Sequence, residues 1–210
     1  MNYPKISYEA VLPANFDATK ESLPMIVFLR DLPHGNVPEI FRDLENKAGV
    51  RAVVILPECP AELEYANVPF EIADAIDEAA EKYGVDKNKI SITGFGIGGF
   101  GVWEFICHFA DMLSTAVPVS GGGMGWRADT IGTLPVWAFH GSLDSTTHRI
   151  HSQDMVTRIN IGIGSAHVTV LHECEHDIAD VVYGSGILKW MTERVKGESA
   201  LQIEIGGVNL

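Results

Sequence analysis

Three groups of residues in this 210-residue chain have types and spacings that could do chemistry. The first is the turn Gly94-Phe95-Gly96-Ile97-Gly98-Gly99, which follows the apolar run Ile90-Ser91-Ile92-Thr93 and precedes a helical pattern. Strand, glycine turn and helix suit two devices. One is G-x-G-x-x-G, which lets a backbone approach a pyrophosphate at a helix N-terminus, and Gly94, Gly96 and Gly99 match it. The other is G-x-S-x-G, a sharp turn that presents a nucleophilic serine. Gly94 and Gly98 match that pattern, with Gly96 where the serine belongs. The second group is His172-Glu173-Cys174-Glu175-His176, an H-E-x-x-H match that would bind zinc if both histidines shared a helix face. The third comprises Asp144 and His176, each just beyond an apolar run.

The elements around these residues arbitrate. Strands are expected over 7–13, 24–29, 51–56, 90–93, 114–120, 135–140 and 167–171. Several are continuous apolar runs, the mark of strands covered on both faces. Helices are expected over 39–47, 70–83, 100–109, 148–160 and 178–194. The second of these repeats apolar residues at Ile72, Ala73, Ile76, Ala79 and Ala80, with acids between them and Gly84 after it. Alternation of strand and helix predicts an α/β domain over 1–210, a mainly parallel central sheet with helices on both faces and no separate lid. Asn15 and Asp17 are the expected turn formers after the first strand.

In that frame the zinc motif would begin at a strand end, and Asp177 follows where a helix should continue. No metal site is expected there. The dinucleotide reading needs its fingerprint in the first βαβ unit, with an acid about 20 residues on. Here two buried strands precede it, and the next strand ends in Ser120-Gly121-Gly122-Gly123. Asp144 and His176 fit a hydrolytic site better: nucleophile, orienting acid and histidine in chain order, each past a strand end. His148 and His151 read as a solvated helix face, and Cys107 as a small core residue.

The chain resembles the small lidless α/β-hydrolases of the carboxylesterase, dienelactone hydrolase and polyhydroxybutyrate-depolymerase-like esterase group. The residues that carry the resemblance are Asp86 through Gly101, Pro118-Val119-Ser120-Gly121-Gly122, Val136-Trp137-Ala138-Phe139-His140-Gly141 with Asp144, and Glu175-His176-Asp177. It implies the α/β-hydrolase fold and a Ser-Asp-His acyl-enzyme mechanism on carboxylic esters. In that mechanism Gly96 stands at the nucleophile position, Asp144 is the acid and His176 the base. The oxyanion hole is made of the backbone N–H groups of Leu32 and Ile97. The chain departs from the pattern twice. Gly96 has no side chain to form an acyl-enzyme, and Arg30-Asp31 stands where the group usually has His-Gly. An inactive or very weak enzyme is therefore expected. The alternative is a non-catalytic ligand-binding or interaction protein on the same fold, and the lesser alternative a dinucleotide-binding enzyme using Gly94, Gly96 and Gly99.

Bulk properties bound the partners. A net charge of −13 repels nucleic acid and anionic membranes, so neither is expected as a partner. No apolar run approaches the ~18 residues that cross a bilayer. The first residues, Met1-Asn2-Tyr3-Pro4-Lys5, lack the pattern of a secretory leader, and a cytoplasmic protein is expected. Three separated cysteines, with no C-x-x-C, argue against a disulfide framework. The expected partner is a small-molecule ester substrate or ligand, with no cofactor, and a homodimer is left open. Loops 33–38, 58–69 and 124–133, with Tyr65, Phe70 and Trp126, are candidates for the pocket wall, and the tail 201–210 for an edge strand or subunit contact.

Overall fold

The apolar runs become strands because every second side chain serves a different helix layer. The computed structural model describes residues 5–31 and 35–198. In chain order its elements are β1 (Tyr8–Val11), β2 (Met25–Leu29), α1 (Leu44–Ala48), β3 (Val53–Pro57), α2 (Pro69–Lys82), β4 (Ile90–Phe95), α3 (Ile97–Phe109), β5 (Thr115–Val119), β6 (Pro135–Gly141), α4 (Ile150–Ile161), β7 (Ser165–Leu171), α5 (Ala179–Gly184) and α6 (Ile187–Glu193). The sheet order is β1-β3-β2-β4-β5-β6-β7. β1 runs antiparallel to β3, and every other pairing is parallel.

Two cores flank the sheet. Met25, Val27, Leu29, Val53 and Ile55 face α2, α3 and α4, where Ile76, Trp103 and Met155 are buried. Ile26, Phe28, Val54 and Leu56 face the opposite layer, built from Phe41, Val182, Tyr183, Leu188 and Trp190. This alternation on both faces is what a parallel sheet clothed by helices requires. Ser91 and Thr93 are the polar exceptions on β4. They are satisfied by Met25 O at 3.3 Å and Val117 O at 2.6 Å, with Tyr183 Oη 3.0 Å from the threonine hydroxyl.

The expected helix at 39–47 divides into a short 3-10 turn, Glu39–Arg42, and α1. Asp43 breaks the run with a non-helical backbone (φ −151°, ψ 63°) and caps the new helix by accepting Asn46 N–H. The expected long helix at 178–194 is likewise two, α5 and α6. Gly186 takes φ 94° between them, a left-handed conformation that ends one helix and redirects the next. α3 begins at Ile97, three residues before its expected start, because the glycines of its first turn are helical. Asn15 takes φ 56°, as its turn role demands. The tail 201–210 lies outside the described residues. No described helix is long and apolar enough to cross a membrane.

Chain direction places the site. From β2 the chain moves outward to β3, then returns across β2 to β4 and continues through β5, β6 and β7. The strand order reverses between β2 and β4, and the carboxyl ends at such a reversal are where parallel α/β sheets bind ligands. Arg30-Asp31 leaves one of these strands and Gly96 closes the other.

Candidate active site

The turn at the end of β4 is held by backbone contacts that only glycine permits. A β-carbon at Gly94 would lie 2.6 Å from Gly98 O and 2.9 Å from Leu29 O. One at Gly98 would overlap Leu29 O, and one at Gly99 would lie 2.6 Å from Val119 O. The first turn of α3 therefore rests directly on the ends of β2 and β5. Gly96 N–H donates to Val119 O at 3.0 Å, and Phe100 N–H returns to Gly96 O at 3.1 Å. Gly96 itself has φ 58° and ψ −119°. That backbone is strained for a side-chain-bearing residue and free for glycine. Each glycine of the G-x-G-x-x-G match thus has a local structural reason.

Asp144 lies in the loop after β6 and is 5% exposed. One carboxylate oxygen, Oδ1, accepts the N–H groups of Thr146 at 2.9 Å and Thr147 at 2.8 Å. The other, Oδ2, lies 2.8 Å from His176 Nδ1 and 3.1 Å from His140 Nε2. Burial pushes the carboxyl pKa up, but the Thr147 N–H and the His176 ring outweigh it, and the group ends below its ordinary value. His176 follows β7, and its ring sits 5.2 Å from that of Phe95. Its backbone is fixed by Ser120, whose hydroxyl donates to His176 O at 2.8 Å. The two loops are stitched together. Ser142 N–H donates to Leu171 O at 2.9 Å and Leu143 N–H to Cys174 O at 2.8 Å. A β-carbon at Gly141 would overlap Glu175 O.

Asp144 and His176, read from sequence as acid and base, are thus brought together as a hydrogen-bonded pair. Nδ1–H donates to the carboxylate, which leaves Nε2 as the basic nitrogen. The pair also has a pH signature. A carboxyl held below its ordinary pKa adds stability that is present above about pH 4 and lost as the pH falls through the folded value. Asp144→Asn is expected to lower the melting temperature at neutral pH. It should also flatten the acid limb of the unfolding free energy against pH by up to about 1.4 kcal/mol per pH unit for the one proton concerned.

Two participants were not legible as such in the sequence. His140 is completely buried behind Asp144, with Nε2 2.7 Å from Thr147 O and Nδ1 3.1 Å from Ser152 Oγ. Its burial lowers its pKa, so the ring stays neutral, and Nε2–H is shared between Thr147 O and the Asp144 carboxylate. Asp31 is the second, marked in the sequence only as a departure from a pattern. Its Oδ1 accepts Ile97 N–H at 3.0 Å, so the expected oxyanion donor Ile97 already holds a carboxylate. A β-carbon at residue 96 would overlap that oxygen and come within 2.7 Å of Asp31 Cγ. The room a serine side chain would use is filled by Asp31. Leu32, the other expected donor, lies outside the described residues.

The remaining candidates are placed elsewhere. His172 to His176 form a turn and loop rather than a helix, and no group of residues suited to a metal occurs among the described residues. His148 and His151 are exposed, and Cys107 is buried. Tyr65 is a core residue whose hydroxyl donates to Pro57 O at 2.9 Å. Phe70 packs on His108 and Phe109, and Trp126 is 74% exposed beside Arg127.

No protein-family model and no curated protein sequence matches the chain. Solved structures do. A thermostable esterase aligns with a TM-score of 0.72 at 20% identity, over 90% of this chain and 59% of its own. An acylaminoacyl peptidase from Pyrococcus horikoshii aligns with a TM-score of 0.75 at 13% identity, over 91% of this chain and 40% of its own. The chain spans less than two thirds of either. A protein from Klebsiella pneumoniae described as a dienelactone hydrolase aligns with a TM-score of 0.71 at 18% identity, over 90% of this chain and 93% of its own. Likeness at these identities is one of architecture: the chain has the α/β-hydrolase fold.

Proposed function

We propose that the chain is a hydrolase-type protein that takes a small carboxylic ester at the carboxyl end of its sheet and hydrolyses it slowly, without an acyl-serine intermediate. The observation that carries this reading is the 2.8 Å His176–Asp144 pair, with the His176 ring against Phe95 at the turn before Gly96. With no hydroxyl at residue 96, water is the nucleophile, His176 Nε2 takes its proton, and Asp144 orients and stabilises the charged ring. No cofactor enters this scheme. A net charge of −13 disfavours nucleic-acid and anionic-membrane partners. The test is hydrolysis of short-chain p-nitrophenyl esters. Slow turnover is expected, reduced about 10²–10⁴-fold in His176→Ala. Turnover that His176→Ala leaves unchanged would sink the reading.

A second reading is favoured by the carboxylate on Ile97 N–H, which takes the donor an ester oxyanion would need. On it the protein binds a small ligand without turning it over. A ligand that raises the melting temperature, together with no ester hydrolysis above background, would select this reading over the first.

A further inference from the structure

Asp31 and Gly96 follow neighbouring strands, β2 and β4, on either side of the point where the strand order reverses. The carboxylate of Asp31 occupies the position of a missing side chain: a β-carbon at residue 96 would lie 2.7 Å from its Cγ and 3.4 Å from Oδ2. The two carboxylate oxygens are not equivalent. Oδ1 is engaged by Ile97 N–H at 3.0 Å, at the start of the 13-residue helix α3, whereas Oδ2 accepts no hydrogen bond from any described residue. The Ile97 N–H at the helix terminus orients this half-buried carboxylate. The imidazole of His176, fixed by Asp144, packs 5.2 Å from the ring of Phe95, the residue before Gly96.

We propose that Asp31 is a nucleophile, and that the site hydrolyses a small substrate at a saturated carbon bearing a halide leaving group. This activity is separate from the ester reaction above and shares only its base. The choice of carbon follows from which oxygen is engaged. Attack on an acyl carbon puts negative charge on the substrate's carbonyl oxygen, and the Ile97 N–H that would meet it is already taken. Displacement at a saturated carbon creates no such oxyanion, because the charge departs with the halide. Oδ2 donates its electron pair to the carbon, the carbon–halogen bond breaks, and an alkyl ester of Asp31 forms. Water then adds to Cγ as His176 Nε2 takes one of its protons. The oxyanion of this second step develops on Oδ1, which the Ile97 N–H already holds. Collapse expels the alkoxide, which takes the proton back from His176 and leaves as the alcohol. The regenerated carboxyl group ionises, so alkyl halide and water give alcohol, halide and a proton.

The two steps differ in their need for a base, and the test uses that difference. The His176→Ala protein is incubated with n-butyl bromide and examined by intact mass and peptide mapping. One butyl group is expected on the peptide carrying Asp31, since alkylation needs no base whereas release does. The parent protein is expected to liberate bromide with turnover and to accumulate no adduct. Asp31→Asn, close in shape, is expected to lose bromide release by on the order of 10³-fold or more. The proposal is overturned if His176→Ala carries no butyl group on Asp31, if the label falls on Cys174 alone, or if bromide release survives Asp31→Asn. If Asp31→Asn fails to fold, the labelling of His176→Ala, in which Asp31 is intact, decides alone. The p-nitrophenyl ester assay runs on the same preparations. Ester hydrolysis that depends on His176 without butylation of Asp31 rejects this proposal and keeps the ester reading. Butylation of Asp31 without ester hydrolysis does the reverse.

Discussion

Gly96→Ser alone is expected to leave ester hydrolysis at the parent's level, whereas Gly96→Ser combined with Asp31→Gly is expected to raise it by on the order of 10³-fold or more. The first half follows from space. A β-carbon at residue 96 would overlap Asp31 Oδ1 and sit 2.7 Å from Cγ. The serine must push the carboxylate aside or be displaced itself, and in either case its hydroxyl does not meet His176 in a productive geometry. Strain adds to this, because φ 58° with ψ −119° costs a non-glycine residue about 1–3 kcal/mol. The single variant should therefore also melt earlier than the parent. The second half follows from what the double change supplies. Removing Asp31's side chain clears the overlap and frees Ile97 N–H for an ester oxyanion. Asp144 and His176 are already paired to activate a hydroxyl. Loss of a triad serine costs on the order of 10⁶ in turnover, with about 10³–10⁴ over water remaining, so most of that deficit is recoverable. Initial rates with p-nitrophenyl acetate, together with a burst of p-nitrophenol matching one acyl-enzyme per chain, measure the gain. A single variant as active as the double one would show that Asp31 does not obstruct the elbow.

This coupling also marks the limit of what the sequence discloses. Most strands are legible because their apolar runs are continuous, and Asp144 and His176 because each follows a strand in the order that hydrolytic chemistry uses. Gly96 and Asp31 are each visible as departures, but nothing in the linear order joins them. The bond that brings them together, from Ile97 N–H to Asp31 Oδ1, spans 66 positions and exists only because β2 and β4 are neighbours across the reversal in strand order. His140 is hidden for a similar reason. A histidine ending a buried strand has no evident task until the loop after it folds back and sets Thr147 O and the Asp144 carboxylate against its ring. The last helix misleads in the other direction. Its apolar period runs through 178–194, and only the left-handed backbone of Gly186 breaks it. A glycine within a periodic run does not by itself predict a break, because α3 carries Gly98, Gly99 and Gly101 in regular helix.

Those helical glycines carry the largest expected effect on stability. Gly98→Ala is expected to cost about 3 kcal/mol or more, at or beyond the upper end of ordinary overpacking. The new methyl would overlap Leu29 O and lie 2.6 Å from Arg30 O, so the obstacle is backbone rather than a side chain that could rotate away. Relief requires moving the first turn of α3 off the end of β2, and the same movement would disturb Gly96, Ile97 and Asp31. Gly49→Ala is the control. Gly49 has φ 64°, with nothing within 4 Å of the added carbon, so it carries the conformational penalty of about 1–2 kcal/mol without a clash. Urea unfolding of both variants separates the two causes. Gly98→Ala should show the larger loss although its backbone is an ordinary helical one. Equal midpoints for the two variants would mean that α3 and β2 can separate cheaply, and the close packing of the elbow would then not be what fixes the geometry of this site.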